Sequence, residues 1–162
     1  MLDALTQPSR FEGGAQESGA LPSAADCLKA IATAEAERAR ELVRAREHEE
    51  AEKNALIDRF RQPSGVDDAE RLKRAAAIIN RAVANGQMET QVFRFPNELC
   101  IDHGRAINNQ ETGWEATLTG LPKELCEFWQ QHLKPRGYHL KVEIVDFPGG
   151  IPGDIGMKLT WD

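Results

Sequence analysis

The fold is decided by the C-terminal stretch of the chain, residues 121–162, which reads LPKELCEFWQQHLKPRGYHLKVEIVDFPGGIPGDIGMKLTWD. Its first part places apolar side chains at intervals of three and four, which predicts a helix with one apolar face. These side chains are Leu121, Leu125, Phe128, Trp129 and Leu133. Pro122 suits the first helical turn, whereas Pro135 ends the helix and Gly137 can reverse the chain.

Two strands are predicted after this helix. Apolar and polar residues alternate over residues 138–144 and again over residues 155–162, the pattern of a strand with one buried face. The intervening residues 147–154 are rich in glycine and proline, so the two strands should pair as an antiparallel hairpin. The apolar face of the helix would then cover the apolar face of the hairpin, because a helix packed on a sheet is a stable two-layer arrangement.

The N-terminal part of the chain divides by composition into a tail and a long helix. Residues 1–22 contain glycines and prolines with only scattered apolar side chains, which predicts a disordered tail. Residues 23–62 are rich in alanine, glutamate and arginine, which predicts a charged helical arm of about thirty-eight residues and about 57 Å. Its apolar stripe is thin and consists of Leu28, Ile31, Leu42, Val43, Leu56, Ile57 and Phe60.

Two interpretations of this arm remain open. It could be an alanine-rich coiled coil that pairs with another copy of the chain, since small side chains allow helices to approach closely. Alternatively it is a solvated helix that packs only at its ends. The sequence lacks a heptad seam sustained over several repeats, which favours the second interpretation.

The rest of the chain completes one folded domain over residues 66–162, after a break at residues 62–65. A second helix with an apolar stripe is predicted from Asp67 or Asp68 to Ala84. Strands are predicted over residues 88–95 and, from the alternation of Trp114, Ala116 and Leu118, near residues 114–119. We therefore expect an α+β fold: a mixed or antiparallel sheet of three or four strands with two helices on one face, preceded by the long charged helix.

Charge and hydropathy restrict the class of partner. The formal net charge is −6 and the sequence pI is about 5.3, which disfavours nucleic acid as a partner. Arg38, Arg40, Arg44 and Arg46 are interleaved with glutamates, so they do not change this expectation. The sequence shows neither an apolar run of roughly 18 residues nor the regions of a signal peptide, so we expect no membrane association.

The cysteines point to a reducing compartment. Cys27, Cys100 and Cys126 are scattered and form no Cys-x-x-Cys pair, so a disulfide framework is not expected. Reduced thiols predict a cytoplasmic protein.

The segment from residue 97 to residue 113 is the one that packing explains least. It concentrates six candidate ligand-binding residues in what should be a loop or a short helix: Cys100, Asp102, His103, Arg105, Asn108 and Asn109. Arg105 could grip a carboxylate or phosphate, and the two asparagines could supply amide donors and acceptors. The structural alternative is that Arg105 pairs with Asp102 or Glu98 and that the asparagines satisfy the backbone of a turn.

Catalytic and metal-binding interpretations of this segment are weaker. Cys100 could act as a nucleophile with His103, His132 or His139 as its base, but free cysteines more often pack as small apolar side chains. Cys100, Asp102 and His103 lack the paired spacing of zinc ligands. The glycines at residues 149–153 are followed by a strand, so they do not predict phosphate binding. The sequence therefore predicts no catalytic residue, metal or cofactor.

The function favoured by the sequence is a non-enzymatic protein-interaction or assembly module. Its partner would be another protein or a second copy of the chain, because a long polar helix needs tertiary or quaternary contacts to be stable. The alternative is a small enzyme or an anionic-ligand-binding protein that uses residues 98–109.

Overall fold

The computed structural model describes residues 20–162, so residues 1–19 of the predicted tail lie outside the described part of the chain. The structure confirms an α+β fold. Its main elements, in chain order, are α1 (Ala24–Arg61), α2 (Asp68–Ala84), β1 (Glu89–Phe95), α3 (Arg105–Asn108), α4 (Gly120–Phe128), β2 (His139–Ile144) and β3 (Ile155–Thr160).

The chain forms two compact units, the first ending at Glu49 and the second spanning Glu50–Asp162. The sequence placed the domain boundary at residues 62–65, but α1 from Glu50 onwards belongs to the second unit. Ile57 is buried there, and the ring of Phe60 packs edge-on against that of Phe93 at a centroid distance of 5.0 Å. The end of α1 belongs to the second unit because Ile57 and Phe60 lie on one face of the helix, and this apolar face packs into the core.

Local signals set the ends of α2. The side chain of Asp67 accepts a hydrogen bond from the backbone N–H of Glu70 at 2.8 Å, which satisfies one of the free donors of the first turn. At the other end Gly86 adopts a φ of 72°, a left-handed conformation that glycine tolerates well. Both ends lie where the sequence predicts them.

The sheet contains three antiparallel strands in the order β1-β3-β2, so the last strand of the chain is the central one. The predicted hairpin of β2 and β3 is confirmed. Its register pairs Leu140 with Leu159, Val142 with Met157 and Ile144 with Ile155. These apolar side chains share one face, because successive side chains of a strand point to opposite faces.

Strand β1 reaches the same apolar face through a β-bulge. The register with β3 shifts between Gln91 and Phe93, which leaves Val92 as the extra residue. Val92 and Phe93 consequently both pack against the core. A regular strand would have placed these neighbours on opposite faces.

Helices α2 and α4 both cover this apolar face, as the sequence predicts. Ile79 of α2 and Phe128 of α4 share a buried cluster with Leu159, while Cys126 of α4 clusters with Met157. Since Met157 and Leu159 point to the same side of β3, the two helices form one layer over one face of the sheet.

The strand predicted near residues 114–119 is wrong. Residues Trp114–Thr117 form a short 3-10 helix, and only Leu118 makes an isolated antiparallel bridge, to Cys100. Gly113 begins the turn with a φ of 86°, and the hydroxyl of Thr117 donates to the carbonyl of Trp114 at 2.7 Å. The hydrogen bonds of this turn therefore determine the backbone conformation here, although apolar and polar residues alternate over a few positions.

The helix predicted over residues 121–133 also changes form. Regular α-helix ends at Phe128, and residues Trp129–Leu133 form a wider π-helical turn. The indole N–H of Trp129 donates to the carbonyl of Tyr138 at 3.0 Å, which ties this turn to the residue just before β2. Gly137 reverses the chain with a φ of 93°, as its position predicts.

Substituting Gly120 tests the close contact between the end of α1 and the start of α4. Gly120 has a φ of 59°, and a Cβ there would lie 2.3 Å from the carbonyl oxygen of Phe60. We expect Gly120→Ala to lower the free energy of unfolding by about 3 kcal/mol or more, from backbone strain plus this clash, in urea denaturation.

Gly86→Ala is the matched control. Gly86 has a φ of 72°, and a Cβ there would meet no atom within 4 Å. Only the left-handed backbone is then penalised, by about 1–2 kcal/mol. Equal losses in the two variants would contradict the close contact.

Candidate functional site

The segment after β1 is shaped by Asp102. Its Oδ1 accepts a hydrogen bond from the N–H of Gly104 at 3.0 Å, and its Oδ2 accepts one from the N–H of Ala106 at 2.9 Å. Both carboxylate oxygens are therefore used to hold the turn into α3, the role that aspartate commonly has in such turns. Gly104 completes this turn with a φ of 83°, and a Cβ there would lie 3.0 Å from the Cδ1 of Ile155.

Cys100 belongs to the core. It is 2% exposed, and burial raises the pKa of its thiol from 9.0 to about 11. The thiol is thus protonated at neutral pH, whereas a nucleophilic cysteine needs a lowered pKa. The side chain of His103, the nearest candidate base in sequence, is directed instead to Asn97, with 3.4 Å between Nδ1 and Oδ1.

A polar cleft of about 680 Å³ lies between the start of this segment and the loop that joins β2 to β3. The cleft is lined by Lys53, Asn97, Glu98, His103, Gly104, Arg105, Asn108, Asp146, Pro148, Ile151, Pro152, Gly153 and Asp154.

The structure brings three of the six predicted ligand-binding residues into the cleft. His103, Arg105 and Asn108 line it, whereas Cys100, Asp102 and Asn109 do not. Asn109 instead lies 3.5 Å from Glu111, which is also the carboxylate nearest to Arg105, at 3.4 Å.

The Arg105 guanidinium is accessible. Its side chain is 72% exposed, and its ion pair with Glu111 at 3.4 Å is of the solvated kind that contributes little. Pairing with Asp102 or Glu98, the structural alternative expected from the sequence, is not what the structure shows. Arg105 can therefore turn to a partner without breaking a buried interaction.

The other wall of the cleft is formed by residues 146–154, which include the hairpin loop that the sequence predicts over residues 147–154. Arg94 holds both of its ends: Nε donates to Asp154 at 2.9 Å and Nη2 to Asp146 at 3.1 Å. The hydrogen bond with Asp154 is the main cause of a raised pKa for Arg94. In the sequence, the signal for a loop held at both ends is the pair of aspartates, Asp146 and Asp154, that flank a glycine-rich and proline-rich stretch.

Asn97 joins the two walls of the cleft. Its side-chain Nδ2 donates to the carbonyls of Pro152 at 2.9 Å and Gly153 at 3.0 Å. Because this amide bridges residues more than fifty positions apart, no local sequence pattern predicts it.

Glu98 is the most unusual group in the cleft. Its Oε1 accepts a hydrogen bond from Lys53 at 2.7 Å, while its buried Oε2 has no hydrogen-bond partner among residues 20–162. Burial by itself raises the pKa of the carboxyl, but the hydrogen bond from Lys53, a backbone hydrogen bond and the charges of Lys53 and His103 lower it overall. The carboxylate is ionised at neutral pH, but the protein encloses its Oε2, so this oxygen is not accessible to a ligand.

The cleft contains charges of both signs. Lys53 and Arg105 line it together with three carboxylates, those of Glu98, Asp146 and Asp154. In the described part of the chain no group of three or more His, Cys, Asp or Glu side chains is arranged to hold a metal ion. Such a mixed surface suits a ligand with both donors and acceptors, such as a polypeptide segment.

A second surface of interest is the part of α1 within the first unit, residues 24–49, here called the N-terminal segment. All of its residues are exposed except Ala34, which is half-buried. Four large apolar side chains on it are at least half exposed: Leu28, Ile31, Leu42 and Val43.

Comparison of the chain with models of protein families, with curated proteins and with solved structures gave no match. Within residues 20–162, no helix combines the length and the apolar character that crossing a membrane requires.

Thiol labelling tests the placement of the cysteines. Cys27 is exposed, whereas Cys100 and Cys126 are buried, with thiol pKa values raised by burial to about 11. At pH 8 we expect one thiol per native chain to react rapidly with a disulfide reagent and all three to react in denaturant. Cys27→Ser, the control, should abolish the rapid reaction; a second rapidly reacting thiol would contradict the buried position of Cys100 or Cys126.

Proposed function

We propose that this chain is a protein-interaction module that assembles with a second copy of itself through the N-terminal segment of α1. The observation that carries the proposal is an exposed apolar face on a helix that is otherwise charged. Leu28, Ile31, Leu42 and Val43 are 68%, 54%, 68% and 51% exposed.

These four side chains form one face. At about 3.6 residues per turn they fall, together with Ala32 and Ala39, within an arc of roughly 120° on the helix surface. Burying such a face against a second helix removes apolar area from water, which is the main favourable term in association. Helices whose own residues are all solvated are marginal in water, so pairing also stabilises the segment itself.

The charges of the segment favour a second copy as the partner. Residues 24–49 contain six acidic and five basic side chains, so two segments meet without strong net repulsion. The alanines permit close approach of the two helices. Glu35, Arg46 and Glu49 also lie within this arc and weaken the seam, so the expected dimer is reversible.

Light scattering of the full chain tests this proposal. At about 100 µM we expect a mass near twice 18.0 kDa for the unmodified protein. Leu28→Lys combined with Leu42→Lys should yield a monomer of unchanged fold, because two charges then replace the centre of the apolar face.

The matched control is Ala30→Lys combined with Thr33→Lys. It adds the same charge to the same helix outside the apolar arc, so the dimer should persist. A monomeric unmodified protein at this concentration, or equal dissociation of both double variants, would overturn the proposal.

A second candidate function is recognition of a polypeptide segment in the polar cleft. One observation favours it: the apolar Ile151 lines the polar cleft while 68% exposed. Phe147, in the same loop, is 53% exposed. Exposed apolar side chains with polar groups around them are typical of protein-binding surfaces.

Peptide display against the full chain tests the second candidate. Selected peptides should share a motif and lose at least about tenfold in affinity for an Ile151→Asp variant, since the substitution removes an apolar contact. Val83→Asp is the control, because Val83 is 54% exposed on α2 and does not line the cleft. Selection of no peptide, or equal losses in both variants, would remove this candidate.

A further inference from the structure

The second unit contains an apolar cavity of about 230 Å³ between α2, α4 and the apolar face of the sheet. It is separate from the polar cleft and from the N-terminal segment, since it shares no lining residue with either. Its floor is formed by side chains of the strands, including Val92 and Leu140, and its sides by Leu125 and Phe128 of α4.

One of the α2 residues that line the cavity has a small side chain. Ala75, half-buried, lines the cavity at a position where a leucine would fill much of it. The space is partly open to solvent, since its lining residues Arg74 and Ile78 are exposed, so a small molecule can enter it.

One end of the cavity is polar and carries a positive charge. The side chain of Arg71 is 10% exposed and lies at the cavity wall. Its Nη2 donates to the hydroxyl of Ser64 at 2.7 Å and lies 3.6 Å from Oε1 of Glu124. Its Nε and Nη1 groups make no hydrogen bond to residues 20–162. A nearly buried guanidinium thus keeps free donors beside an apolar space.

Two charged side chains lie near Arg71, but neither occupies its free N–H donors. Glu124 accepts a hydrogen bond from the hydroxyl of Ser64 on Oε1 at 2.8 Å, and it does not itself line the cavity. Arg74 lines the cavity, but it pairs with Glu70 at 3.4 Å and is 61% exposed. The cavity therefore offers the N–H donors of Arg71 to a ligand that carries an acceptor.

We propose that this cavity binds a small apolar molecule that carries one hydrogen-bond acceptor, a carboxylate or a carbonyl, at the end that meets Arg71. Size follows from volume: an apolar cavity of roughly 150 Å³ accommodates benzene, so the present one accommodates about nine or ten non-hydrogen atoms. Medium-chain carboxylates have this size and polarity.

Isothermal titration of the full chain with three eight-carbon probes tests the proposal. The probes are octanoate, octanol and octylammonium, which share a chain and differ in the head group. We expect octanoate to bind with a Kd between about 10 µM and 1 mM, octanol more weakly, and octylammonium at least about tenfold more weakly than octanoate. Binding of none of the probes, or tighter binding of octylammonium, would overturn the proposal.

Variants locate the binding site. Ala75→Leu should fill the cavity and weaken octanoate binding by at least about tenfold while leaving the protein folded in a thermal melt. Ala76→Leu is the control: Ala76 is exposed on the same helix and does not line the cavity, so binding should be unchanged. Arg71→Met should remove the preference for octanoate over octanol. Equal effects of Ala75→Leu and Ala76→Leu would show that the probe binds elsewhere and would overturn the proposal.

Discussion

Burial of one face of strand β3 is the constraint on which the second unit depends. β3 is the central strand, so its inward side chains Ile155, Met157 and Leu159 must be covered from above while β1 and β2 satisfy its backbone on both sides. These three side chains are at most 3% exposed. Helices α2 and α4 and the end of α1 all gain their stability by packing over this one face, because apolar burial is the dominant favourable term in folding.

The apolar cavity and the polar cleft of this unit follow from how that face is covered. The helices leave an apolar space over the sheet at Ala75, beside the buried Arg71. At the other end, the chain that follows β1 turns back at Asp102 and faces the loop held by Arg94. The apolar cavity is therefore a packing feature of two helices, and the polar cleft is a feature of two constrained loops.

The exposed face of the N-terminal segment and the polar cleft depend on different features of the chain. The exposed face of the N-terminal segment depends only on helical periodicity, since its apolar side chains lie on one helix. The cleft requires Lys53, Glu98 and the β2–β3 loop to be brought together from distant parts of the chain. Assembly through the segment would increase the number of clefts per particle, and linked binding sites raise the overall affinity for a partner that engages several of them.

The sequence by itself determined the elements whose signal is local. The 3.6-residue periodicity of α2 and α4, the alternation in β2 and β3, and turn residues such as Gly137 each describe interactions between near neighbours. These elements were predicted correctly, except that regular α-helix ends at Phe128 rather than at Leu133. The same local reasoning failed near Trp114, where three alternating residues were outweighed by the turn bonds that follow Gly113.

Only the tertiary structure decided where the core and the candidate sites lie. His103, Arg105 and Asn108 were identified by their chemistry, but the groups that face them, such as Asp146, join through contacts about forty residues away in the chain. Cys100 shows the converse: its residue type suggested reactivity, and burial among its core neighbours sets its thiol pKa near 11. The sequence specifies the residue types. Burial and long-range proximity determine whether a group is protonated and which groups it contacts, and both arise only when the chain folds.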